Sequence, residues 1–307
     1  MFPAVLTSLC FALTAVSAKQ STALVGPIRA NFYRLLIAIL ILGVLTSFTR
    51  QSLDASLNFL FFIAGAVGFG LGGFCVMQSL KRLGAPLTLL VVESLTAIFA
   101  GGLAWIVLKD GMSLSQILSC GIILAGVIVA GTSGWRKKDF QHLERKDYLE
   151  GFAFTAVASV FQAVSLVISR HAFLLAKQGA LEVSKIDAAF VRLIGGLGIA
   201  MALLAYQYLK MRKEKDKWVP FVNRGESLRH QPYIWASANA LFGPVLGVTC
   251  WLWAVSVMNP GIVQSIAATS PLISIPVARL LESHRIGSQF YMGAVVAILG
   301  ITALVLW

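Results

Sequence analysis

Apolar stretches follow one another from end to end of this chain, parted mostly by short polar connections. Each is close to the ~20 residues that a helix needs to cross the ~30 Å hydrocarbon core of a bilayer. The apolar positions run on continuously instead of alternating, which excludes a transmembrane β-barrel. Ten helices are predicted, over residues 2–18, 28–48, 58–79, 84–107, 114–133, 149–170, 187–209, 233–257, 260–281 and 287–307. The expected fold class is an all-α polytopic membrane protein. Two connections are longer than the rest. Residues 134–148 carry Arg136, Lys137 and Lys138, and residues 210–232 carry a charged run from Lys210 to Lys217 that reads as a solvated surface segment.

The stretches form two sets of five that repeat each other. Ala30, Phe32, Arg34 and Leu35 return as Ala188, Phe190, Arg192 and Leu193. Gly68, Gly72 and Cys75 return, all at one offset, as Gly243, Gly247 and Cys250. Ser8, Ala12, Thr14 and Lys19 line up with Ser159, Ala163, Ser165 and Arg170, and Asp110 and Gly121 with Glu282 and Gly293. A unit with an odd number of spans enters the membrane on one side and leaves on the other. A second copy in tandem must therefore lie inverted, and inverted repeats are a common plan of alternating-access carriers. The expected organisation is a first five-helix repeat over 1–133, a basic linker over 134–148 and a second, inverted five-helix repeat over 149–307.

Composition agrees with the membrane class. Of 307 residues, 58% are hydrophobic and only 12% are charged, about half the charged share of an ordinary soluble domain. A net charge of +12 would suggest nucleic acid in a soluble protein. Here Lys and Arg gather in connections, where they meet membrane lipid headgroups and set topology, so no nucleic-acid partner is expected. Connections 1–2, 3–4, 5–6, 7–8 and 9–10 hold most of them, which by the positive-inside rule places both termini outside. Cys10, Cys75, Cys120 and Cys250 lie inside apolar runs without paired spacing and read as small core residues. Ala15-Val16-Ser17-Ala18 imitates a signal-peptide cleavage site, but no basic segment precedes it and its surroundings recur in the second repeat. Helix 1 is expected to be a true span.

The chain resembles ten-helix members of the drug/metabolite transporter (DMT) superfamily built from two EamA-like repeats. The resemblance covers nearly the whole chain. It rests on the Phe-x-Arg-Leu element of helices 2 and 7 and on the glycine-rich third helix of each repeat. It rests also on the turns Leu108-Lys109-Asp110 and Leu281-Glu282, where the family commonly shows Gly-Glu-Arg, and on fifth helices rich in small residues. The resemblance implies export or exchange of small metabolites or drugs, often driven by a cation gradient, in a bacterial inner (plasma) membrane. It implies a pathway lined mainly by helices 3, 4, 8 and 9, and both termini inside, against the charge count. Asp110 departs from the usual Glu, and the fourth helices differ in length by about three residues.

Glu93 is the sharpest candidate for chemistry, because an acid near the middle of a span is costly by a few kcal/mol and is normally tied to function. It could bind a cationic group or carry the proton of an antiport cycle; the structural alternative is an ion pair with Arg34 or Arg192. Those two arginines occupy equivalent positions and read either as packing anchors or as an anion clamp. Gln78, Thr96, Gln162, Asn239, Trp251, Gln264, Thr269 and Ser270, polar or aromatic within spans, complete a candidate substrate-binding set with Glu93. Trp253 stands two residues from Trp251 and must face another way. Trp105, Trp235 and Trp307 lie near span ends as interfacial anchors, and Arg279 is placed for an ion pair with Glu282. Gly68, Gly72, Gly243 and Gly247 would let helices 3 and 8 approach their neighbours closely, as static packing or as a sliding contact. Pro244, Pro271 and Pro276 would kink helices 8 and 9, and their lack of counterparts in the first repeat predicts a stronger hinge in the second half.

No cofactor or metal is expected. The four histidines, His142, His171, His230 and His284, fall in connections or at helix ends without metal spacing, so an enzyme is not expected. A channel would need a ring or filter that one chain with one buried acid does not supply. The expected function is a secondary active transporter of a small metabolite, an amino acid or similar, with proton-coupled export as one form. Efflux of cationic amphiphiles, or an uncoupled facilitator or exchanger, is the alternative. A single chain holding both repeats suffices as a monomer and leaves a homodimer open.

Overall fold

A computed structural model describes residues 1–49, 54–132, 145–213, 231–274, 276 and 288–306. All regular structure among them is helical. The first repeat contributes α1 (Phe2–Val25), α2 (Pro27–Thr49), α3 (Ala55–Leu83), α4 (Ala85–Leu108) and α5 (Leu114–Thr132). The second contributes α6 (Arg145–Gln178), α7 (Lys185–Lys213), α8 (231–257), α9 (Pro260–Ala267) and α10 (Ser288–Leu306). Seven of these, α1 to α4 and α6 to α8, are long and apolar enough to cross a membrane, and α5 and α10 hold shorter apolar segments. The linker's Arg136 to Lys138, the run beyond Lys213, Arg279 with Glu282, and Trp307 lie outside the described residues.

Local chemistry sets the helix ends. Gly26 (φ 81°) parts α1 from α2, and Gly84 (φ 76°) parts α3 from α4. Both positive angles suit glycine, and a proline at Pro27 or Pro86 then opens the next helix without needing its missing N–H. Asp54 caps α3 by accepting hydrogen bonds from the Ser56 hydroxyl and backbone N–H, and these bonds hold its carboxyl below the usual carboxylate range. Asn259 caps α9, its Oδ1 accepting from the N–H of Gly261 at 2.8 Å.

Contact registers reveal the relative directions of the helices. Along α5 and α10 the register runs in opposite senses: Gly126 meets Ala297, whereas Ile123 meets Gly300. These two helices are repeat equivalents, so the halves are inverted. Thr14 on Gly243 and Phe11 on Gly247 make α1 antiparallel to α8. Ser165 on Gly68 and Gln162 on Gly72 make α6 antiparallel to α3 in the same way. Gly65 on Arg192 and Gly70 on Ile199 make α7 parallel to α3. The α1–α8 and α6–α3 contacts are counterparts with the roles of the halves exchanged, as a pseudo-twofold axis requires. The two glycine pairs thus face α6 and α1, where the absence of a Cβ lets helices touch. Leu35, Leu42, Phe61, Leu166, Leu193, Leu252 and Ile266 fill the buried core between the halves. Leu40, Val44, Phe48, Phe59, Ile106, Ile117, Ile298 and Leu299 are exposed, forming an apolar exterior suited to lipid.

Two expectations need correction. Helices α3 and α8 both widen into one seven-residue π-helical segment, Ala66–Gly72 and Leu241–Gly247. The irregularity sits at equivalent positions although only the second contains a proline, Pro244. The halves therefore share this deformation, and the proline is not its cause. Helix 9 is interrupted, as its prolines suggested: α9 stops at Ala267, a turn follows at Ala268–Thr269, and helical geometry resumes over 270–274. Pro271 lies just after this break and is buried. Pro276 is described but isolated among undescribed neighbours. Finally, α1 extends to Val25 and α6 to Gln178, well past the predicted edges at 18 and 170.

The α5–α10 contact is the tightest test of this packing. A Cβ on Gly126 would meet backbone atoms of Ala297 and Gly293. Gly126→Leu should therefore destabilise the protein by about 1–3 kcal/mol through overpacking. Thermal unfolding of the purified protein in detergent checks this.

Candidate functional site

A cavity lies between the halves, among α1, α2, α3, α4, α6, α7 and α8. The π-helical segments supply Gly68, Phe69, Gly243 and Pro244 to its wall. Such segments are rare and often mark functional sites, because the wider turn displaces side chains and leaves backbone groups less regularly paired. Phe11, Thr14, Gln162, Ser165 and Trp251 line it as well, with Arg34, Glu93 and Arg192. From the level of Glu93 and Trp251 the lining continues to Ala18, Leu80 and Leu89, toward the ends of α1 and α3 and the start of α4.

Three charged side chains are buried here. Glu93 accepts a hydrogen bond at Oε2 from the Gln264 amide, whose Oε1 in turn accepts from the Trp251 indole N–H at 3.0 Å. The three form a chain linking α4, α9 and α8. Arg192 donates from Nη1 to the Ser169 hydroxyl at 2.5 Å and from Nη2 to the Ser165 hydroxyl at 3.0 Å. Both serines spend their own protons on carbonyls, Ser165 on Ala64 and Ser169 on Ser165, so their lone pairs are turned toward the guanidinium. The Phe69 and Trp251 rings hold the same group at 5.3 and 5.1 Å from their centroids. Arg34 donates from Nε to Asn31 Oδ1 at 3.1 Å, and Asn31 donates from Nδ2 to the Phe69 carbonyl at 3.2 Å. Neither arginine pairs with Glu93; ion pairs form instead away from the cavity centre, Arg82–Glu150 and Arg170–Asp110 among them. The structural alternative raised for Glu93 is therefore not what these residues form.

The other end of the bundle is closed by a cross-link between the halves. Arg170 donates from Nε to Asp110 Oδ2 and from Nη1 to the Val255 carbonyl, each at 2.9 Å. Asn259 Nδ2 donates to the Asp110 carbonyl at 2.6 Å. Asp110 lies 17 positions past Glu93, roughly 25 Å along a helix.

The predicted site residues separate by place. Glu93, Gln162, Trp251, Arg34 and Arg192 line the cavity, and Gln264 stands directly behind Glu93. Gln78 accepts from Arg82 at 2.9 Å, beside the Arg82–Glu150 ion pair. Thr96 donates to the Ser159 carbonyl between α4 and α6. Thr269 hydrogen-bonds Ser8 at 2.9 Å between the chain after α9 and α1. Asn239 and Ser270 are buried with side-chain polar atoms lacking a partner among the described residues, and neither lines the cavity. Trp251 is buried while Trp253 is exposed, as their spacing demanded, and Trp105 is exposed near the end of α4. The sequence reading passed over Phe11, Thr14, Phe69, Ser165 and Ser169. Thr14 and Ser165 were visible as repeat equivalents, and that symmetry was the available signal. The lining also differs from the family expectation: α1 and α6 contribute to it, whereas α9 acts only from behind through Gln264.

The sequence profile of the EamA-like transporter family matches residues 1–132 and 149–306. The chain belongs to the EamA-like transporter family. It is thus an integral membrane protein of the DMT superfamily with a general transport function. No curated protein matches it closely enough to count as a relative. One solved structure, described only as "Crystal structure of protein", superposes with a TM-score of 0.69 at 16% identity, over 98% of this chain and 95% of that one. At that identity the likeness concerns the fold alone, and the fold is the EamA ten-helix arrangement of inverted repeats.

Gln264 satisfies two buried groups at once, so its loss has a defined consequence. Gln264→Leu leaves the Trp251 N–H and the Glu93 carboxylate without this partner and should cost about 1–3 kcal/mol. Thermal unfolding should show the loss, together with altered tryptophan emission from the newly unpaired indole.

Proposed function

We propose that this EamA-family transporter is a secondary active carrier that exports a small metabolite, an amino acid or similar, by alternating access with Glu93 as the proton-carrying group. The observation that carries the reading is the buried carboxylate of Glu93 on the wall of a cavity between two inverted repeats. An intramembrane acid facing such a cavity marks a substrate or proton path. Glu93 is held at one oxygen by Gln264, so gain or loss of a proton changes a bond that joins α4 to α9 and, through Trp251, to α8. That gives protonation a route to helix movement.

The Asp110–Arg170–Asn259 cluster supports the same cycle. It ties the halves together at one end while the cavity extends toward the other. Rocking would break this cluster as the cavity closes at its present end. That end carries connections 1–2 and 3–4, on the side that the charge bias assigns to the cytoplasm of a bacterial inner membrane.

The test is transport in proteoliposomes loaded with labelled amino acids. Wild-type protein should show counterflow and should respond to an imposed pH gradient. Glu93→Gln should retain counterflow while losing the response to the gradient. A variant still driven fully by pH would remove Glu93 from coupling, and counterflow that never responds to pH even in the wild type would favour an uncoupled exchanger.

A further inference from the structure

The cavity's charge points to the sign of its cargo. Arg34 and Arg192 are 8% and 2% exposed, and among the described residues no carboxylate lies within ion-pair distance of either. Their hydrogen bonds go to a neutral amide and to two serine hydroxyls. Arg192 Nε has no partner. A guanidinium taken out of water without a counter-charge is strongly unfavourable, and buried charges are normally paired or wetted. Here the neighbouring acid is already engaged by Gln264.

Both guanidiniums rest on the same wall. Arg34 Nη2 lies 2.9 Å from where a Cβ would stand on Gly73, and Arg192 Nη2 lies 3.7 Å from the corresponding point on Gly68. Five positions separate these glycines on α3, about one turn of its π-helical stretch. No side chain rises from either glycine, so Arg34 with Asn31 at Gly73, and Ser165 with Arg192 behind it at Gly68, can sit against the α3 backbone. The forks come from equivalent places in the two repeats, and each is positioned by hydrogen bonds before any ligand arrives.

We propose that Arg34 and Arg192 form an oxyanion-binding dyad, and that the transported substrate is a small organic anion or zwitterion whose carboxylate or phosphate lies between them. This rests on the transport reading above and selects against its cationic-amphiphile alternative. Arginine suits the role because its planar fork matches the two oxygens of a carboxylate or phosphate. The apolar ring of Trp251 and the side chains of Phe11, Met77 and Leu80 leave space for an apolar body beyond the head.

The experiment is thermal unfolding of the purified full chain in detergent with five probes: 4-methylpentanoate, L-leucine, L-leucine methyl ester, 4-methylpentanamide and methyl phosphate. The carboxylates, or methyl phosphate, should raise the midpoint, and whichever does so identifies the head group. The ester and the amide should leave it unchanged. Arg34→Gln and Arg192→Gln should each weaken the stabilising probe on the order of 10- to 100-fold. Without ligand both variants should be as stable as the wild type or more so, because each removes an uncompensated charge; a packing anchor would instead lose stability with affinity unchanged. Should the Gln variants fail to fold, Arg34→Lys and Arg192→Lys keep the charge but lose the fork, and should bind several-fold more weakly. Stabilisation by the ester or amide alone, by no probe at all, or with wild-type affinity in every variant would overturn the dyad. Proteoliposome counterflow separates the two readings: anion binding without transport would sink the carrier, and transport of the ester but not the acid would sink the dyad.

Discussion

The bare face of α3 is the constraint on which the rest of the site depends. Gly65 brings the backbone of Arg192 against α3, Gly68 admits the Ser165 side chain, and Gly73 admits the Arg34 guanidinium. A side chain at any of these positions would push α6 or α7 outward or displace a buried arginine. Between helices in lipid there is little hydrophobic gain, so close van der Waals packing and hydrogen bonds must supply the association. Glycine allows both. The same residues thus hold the two repeats together and let the buried arginines and their partners lie against the α3 backbone.

The frame is symmetric and the chemistry is not. Gly68 with Ser165 corresponds to Gly243 with Thr14, and the π-helical turns match across the axis. Yet Arg192 is held by two serines and two rings, whereas Arg34 leans on Asn31 alone among the described residues. Glu93 on α4 faces Gln264 of α9. A pseudo-twofold axis brings equivalent positions near one another, so a single pair of unlike residues there makes a site that differs between its two sides. A carrier benefits from this arrangement: backbone symmetry makes two states related by the pseudo-twofold axis similar in energy, and the differing side chains make their ligand contacts unequal.

The membrane class, the repeat, and the pairing of Arg34 with Arg192 were legible in the sequence because each is a one-dimensional pattern. Hydrophobic length, an offset shared by three residues, and a charge inside an apolar run need no knowledge of neighbours. Glu93 was legible for the same reason. The polar residues within spans were not separable in this way. Gln162 and Thr96 look alike as polar positions in apolar helices, but one lines the cavity and the other is spent on the Ser159 carbonyl. The proline reading failed on α8 because the backbone widens at both equivalent positions regardless of which residue occupies them.

By itself the sequence determined that the chain spans a membrane many times, that its halves are inverted copies, and that three charges lie where charges are expensive. These follow from transfer free energies and periodicity, which act residue by residue. Only the tertiary structure decided that Glu93 pairs with Gln264 rather than with an arginine, and that both guanidiniums share a glycine wall. It alone decided that Asp110 and Arg170 close the far end. Those outcomes depend on which helices meet and at what register, and hydrogen-bond distance is set by that meeting, not by any property of the residues taken one at a time.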